Sequence, residues 1–62
     1  MDNNEKANLY DQYVREANRL QSEITSLKAK YVLNIPEEIQ KKINFNNQRI
    51  NELEKKLINL YK

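Results

Sequence analysis

The chain has no cysteine, no histidine, no glycine and no tryptophan, and its one proline is Pro36. Each absence closes a route. Without Cys there is no disulfide and no thiolate, and without His no imidazole ligand, so the staples that usually hold small scaffolds are missing. Without Gly the tight turns that need positive φ are unfavourable, which argues against a turn-rich β fold. No apolar run approaches the roughly 20 residues of a membrane-spanning helix. Met1-Asp2-Asn3-Asn4-Glu5 lacks the pattern of a signal peptide. These features predict a soluble, cytoplasmic protein. A net charge of +2 is too small in itself to imply a nucleic-acid or membrane partner.

The same inventory bears on catalysis. Ser22, Thr25 and Ser26 have no His to activate them and no Gly-rich loop to build an oxyanion hole. Glu37, Glu38, Glu52 and Glu54 fit helix-surface roles, in the dipole of a first turn or in ion pairs. The expectation is therefore a protein that is not an enzyme, with no catalytic residue, no metal site, no cofactor and no small-molecule substrate. At 62 residues there is one domain, close to the size limit for burying enough surface alone. What remains to stabilise it is regular helix packing or oligomerisation.

Helical periodicity is what the chain has in abundance. Tyr10, Tyr13, Ala17, Leu20, Ile24, Leu27 and Tyr31 follow spacings of three and four in alternation, a heptad repeat. Tyr10, Ala17, Ile24 and Tyr31 take position a, and Tyr13, Leu20 and Leu27 position d. Past a break the pattern resumes, with Ile43, Ile50 and Leu57 at a and Ile39, Asn46, Leu53 and Leu60 at d. Pro36 marks the break, because it lacks an N–H and its ring clashes with the preceding turn. Ile35 before it is pushed towards extended geometry. Asn34 followed by Glu37 reads as a capping box for the second helix, and Asp2, Asn3 or Asn4 as the N-cap of the first.

The sequence thus predicts an all-α fold, an antiparallel two-helix hairpin of coiled-coil type that dimerises into a four-helix bundle. It forms one hairpin over residues 1–62, with a helix over about 3–32, a turn over about 33–35 and a helix over about 36–61. Folding about residue 35 pairs Leu27 with Ile43, Ile24 with Asn46, Leu20 with Ile50, Ala17 with Leu53, Tyr13 with Leu57 and Tyr10 with Leu60. In that register Glu23 faces Arg49, Glu16 faces Lys56, and Lys30 meets Lys42 as a like-charge pair. Asn46 is the polar exception in the stripe and fits a residue that specifies register and oligomeric state at some cost in stability.

Two groups lie outside the seam. Ala7 and Val14 from the first helix and Ile58 and Tyr61 from the second form an apolar patch at the open end, with Asp11 beside it. It is the expected oligomer interface of a homodimer, or else a docking site for another protein. On the opposite flank Phe45 stands at position c, with Lys41, Lys42, Gln48 and Arg49 as its helical neighbours. An aromatic ringed by cations and an amide can anchor a partner or stack on an unpaired base, so these five residues are the candidate partner-binding surface.

Asn51-Glu52-Leu53-Glu54-Lys55-Lys56-Leu57-Ile58-Asn59-Leu60-Tyr61 resembles the second helix of a family of small aspartyl-phosphate phosphatases of sporulating bacteria, whose motif reads Ser-Gln-Glu-Leu-Asp. The Ser-Gln pair is missing here and Glu54 stands where that family has Asp, so no site residue carries over. The expected architecture is similar to that of the plasmid-copy-control RNA-binding proteins of the Rop type. They are dimeric hairpins of about this length that present a Phe among polar and basic residues. Three expectations about activity follow. The first is a small regulator, inhibitor or assembly factor that binds another protein. The second is Rop-like RNA binding through Phe45. The third is a coiled-coil arm of a larger protein.

Overall fold

The computed structural model describes residues 2–62, which form two helices, α1 over Asn3–Lys30 and α2 over Glu37–Leu60. They pack side by side as an antiparallel hairpin with extents of 47 × 15 × 12 Å. No strand occurs among the described residues.

α1 starts where a carboxylate can hold a free amide. Asp2 is its N-cap in extended geometry, and Asp2 Oδ1 accepts a 2.8 Å hydrogen bond from the Glu5 N–H. No Pro or Gly interrupts the next 28 residues. Lys28 and Lys30 lie in the last turn, where cations suit the dipole. The helix leaves at Tyr31, earlier than the apolar stripe suggests. Pro36 supplies a reason: its ring would clash with the carbonyl of Val32, so the chain must be out of helical geometry by then.

The start of α2 corrects the capping box. Pro36, not Asn34, is the N-cap, and it makes no side-chain cap. The Pro36 carbonyl instead accepts from the Gln40 N–H at 2.9 Å. Glu37 therefore occupies the first helical position rather than the third, and the positive end of the dipole is met by Glu37 and Glu38. Proline suits this place because its missing N–H would have had no helical partner there, and its φ of −58° is already set.

The seam buries Leu20, Ile24, Ile43 and Leu53, with Asn46 among them at 4% exposed. Tyr13, Ala17, Leu27, Ile39, Ile50, Leu57 and Leu60 are half-buried along the same stripe. The heptad assignment thus describes the packed faces of both helices.

The cross-helix ion pairs fall elsewhere than the sequence suggests. Glu16 meets Arg49 at 3.2 Å and Glu23 meets Lys42 at 3.7 Å. In both, the α2 partner lies seven residues nearer the turn than expected, a displacement of one heptad. The displacement belongs to the ion pairs and not to the seam. Tyr10 packs on Tyr61 and Lys56 lies over Tyr13, next to the expected partners Leu60 and Leu57, whereas a seven-residue slip would carry these residues about 10 Å apart. Electrostatics accounts for the choice of partners. The expected ladder sets two attractive pairs beside a Lys30–Lys42 repulsion, whereas the observed one pairs Lys42 with Glu23. The helices keep the expected alignment, and Glu16 and Glu23 reach along the groove to the cation nearer the turn. Lys56, left without Glu16, places Nζ 5.8 Å from the centre of the Tyr13 ring.

Candidate interaction surfaces

Three features of the surface remain once the seam is accounted for. They sit at the open end, at the turn and on the outer side of α2.

The open end carries the apolar patch. The Tyr10 and Tyr61 rings lie edge to face, with centroids 6.1 Å apart and planes at 69°, which ties the two helix ends together. Val14 is one turn along α1 from Tyr10, Ala7 one turn before it, and Ile58 one turn before Tyr61 on α2. Ala7, Ile58 and Tyr61 are exposed and Val14 is half-buried. Helical spacing thus sets the four residues picked from the sequence within a turn of the Tyr10–Tyr61 pair. Tyr10 was assigned to the seam, yet it is 47% exposed. Its place in the outermost layer of the seam, where α2 ends, is the signal that identifies it.

The flank that continues this patch is poor in charge. The e and b positions of both helices lie on it, and their charged residues are Asp11, Lys28, Glu37 and Glu54. Asp11 is held by Arg15 at 2.9 Å and Glu37 by Lys41 at 3.7 Å. Lys28 and Glu54 have no ion-pair partner among the described residues, and they stand towards opposite ends of the hairpin. The other flank is the charged one, bearing the Glu16–Arg49 and Glu23–Lys42 pairs.

The turn exposes two more apolar side chains, Val32 at 78% and Leu33 at 99%. Sequence reasoning set Val32 at the end of the first helix and Leu33 in the turn, and gave them no role. Once the helix stops at Lys30, nothing covers them.

Phe45 is 67% exposed on α2, as its c position requires. The cations around it are engaged, however. Lys41 pairs with Glu37, Lys42 with Glu23, and Arg49 with both Glu16 and Glu52, the latter at 3.3 Å. The hydrogen bond to Glu16, with a second to Glu52, raises the Arg49 pKa above its ordinary value, so this guanidinium stays charged. Gln48 is exposed. The five residues are brought together as expected, but the field around Phe45 mixes signs instead of forming a basic cradle.

In the seam, Asn46 Nδ2 is buried and has no hydrogen-bond partner. Among the described residues no group of His, Cys, Asp and Glu is placed to hold a metal ion, and no helix is long and apolar enough to cross a membrane. The chain matches no known protein family, no curated protein and no solved structure.

Proposed function

We propose that this chain is a non-enzymatic helical-hairpin interaction protein, a small regulator, inhibitor or assembly factor that works by binding protein through its open end. The observation that carries this reading is the patch of Tyr10, Ile58 and Tyr61, exposed together with Ala7 on a flank poor in charge. Charge depletion with aromatic enrichment is what marks the centre of a protein–protein interface. Tyrosines contribute large contact area at small entropic cost, and two of them stand in this patch.

RNA binding through Phe45 is the alternative, and it has less support. Lys41, Lys42 and Arg49 already have carboxylate partners, so neutralising phosphates would mean breaking those pairs.

The test uses the chain as bait, beside Val14→Glu, Ile58→Glu and a Phe45→Ala, Lys42→Ala double variant, all checked for unchanged helicity. Protein binding that disappears in the first two and survives in the third supports the reading. Binding that is steeply salt-dependent and lost only in the Phe45 variant would replace it with RNA recognition.

A further inference from the structure

We propose that the partner covering this flank is a second copy of the chain, docked antiparallel about a two-fold axis. The turn of each hairpin then lies on the open end of the other, and four helices form one bundle. The inference rests on the protein-binding reading above and names the occupant of its surface.

Area is the first argument. The chain exposes 5006 Å², whereas a folded monomer of its 7.5 kDa mass exposes about 4,250 Å² by the usual scaling. The excess, about 750 Å², is close to the roughly 800 Å² that each partner contributes to a standard interface. A two-helix layer has no second layer to bury it, and domains are built from at least two packed layers.

Shape and charge then select the occupant and its direction. Apart from Phe45, the large apolar residues exposed among the described ones come in two sets, Val32 and Leu33 at one end and Tyr10, Ile58 and Tyr61 at the other. An antiparallel copy sets each against the other set, twice over, as an isologous interface must. The unpaired charges obey the same symmetry. Lys28 lies towards the turn and Glu54 towards the open end on the charge-poor flank, so reversing one copy brings Lys28 of each towards Glu54 of the other. A parallel copy would place Lys28 near Lys28 and Glu54 near Glu54, and would leave Val32 and Leu33 without an apolar counterpart across the interface. Of the large apolar side chains exposed among the described residues, only Phe45 is left outside this scheme.

Sedimentation equilibrium over a range of concentrations is the experiment, with circular dichroism confirming that each variant remains helical. The expected mass is twice that of the chain. Ile58→Glu should weaken self-association by about tenfold or more, as a central contact does. Lys28→Glu and Glu54→Lys should each weaken it by about threefold, and the Lys28→Glu, Glu54→Lys double variant should recover most of the loss. Because the natural chain has no Cys, direction can be read by thiol cross-linking. Leu33→Cys chains should join to Ile58→Cys chains, and Leu33→Cys chains alone should not join to one another. A monomer at every concentration overturns the inference but leaves the protein-binding reading standing if Ile58→Glu still abolishes capture of another protein. A dimer indifferent to Ile58→Glu overturns both. Cross-linking of Leu33→Cys to itself overturns the antiparallel arrangement.

Discussion

Replacing Asn46 with Leu should stabilise this protein, against the usual effect of a core substitution. Asn46 is 4% exposed and its Nδ2 has no hydrogen-bond partner. A buried donor left unpaired costs about 1–3 kcal/mol, and a leucine in its place removes that cost while adding apolar burial. Against this stands the change of side-chain shape in a packed seam, which costs up to about 1.5 kcal/mol for a well-matched swap. The net expectation is a gain of about 1–2 kcal/mol. For a domain this small, 1 kcal/mol moves the midpoint by about 4–8 °C, so the rise should be about 4–16 °C. The assay is thermal melting followed by circular dichroism, at matched chain concentration because the proposed self-association would make the midpoint concentration-dependent. A second readout is the oligomer distribution, which should broaden as a polar register key is lost. A lower midpoint, or loss of the cooperative transition, would refute the reasoning. It would mean that the amide is paired in solution and holds the seam together.

Other substitutions probe other parts of the argument. Leu53→Ala removes a fully buried side chain and should cost about 2–5 kcal/mol, enough to abolish a cooperative melt in a hairpin with so small a core. A double-mutant cycle between Glu16 and Arg49 should give a coupling of up to about 1 kcal/mol, and the same cycle between Glu16 and Lys56 a coupling near zero. The reverse result would restore the ion pairs read from the sequence. Asp2→Ala should cost about 0.5–2 kcal/mol of local helix stability, visible as faster amide exchange in the first turn of α1, with the rest of the hairpin unchanged. Phe45→Ala should leave the midpoint within the range of ordinary surface substitutions, about 0.5 kcal/mol either way, because Phe45 lies outside both the seam and the proposed interface.

The two helices, their packed faces and the break at Pro36 were legible in the sequence because each depends on neighbours in the chain. Spacings of three and four place Leu20 and Ile24 on one side of a helix regardless of what they meet. A proline ring excludes a continuing helix wherever it stands. The exposure of Ala7, Ile58 and Tyr61 was legible for the same reason: they fall beside the stripes, and a narrow two-helix seam does not reach them. Asn34 was misread because the capping pattern is a statistical signature, and Pro36, already extended and lacking an N–H, is an adequate start for α2. Tyr10 and Val32 were misplaced because their exposure depends on where the helices end, which the periodicity does not mark.

The choice of ion-pair partners belongs to the tertiary structure. Cations recur every seven residues on one flank of α2, at Lys42, Arg49 and Lys56, so Glu16 and Glu23 each have more than one α2 cation within reach. The choice among them rests on how the charged side chains meet across the groove. Pairing them with Arg49 and Lys42 leaves no like charges opposed at the turn, and that sum over both helices is settled only when the chain has folded back on itself.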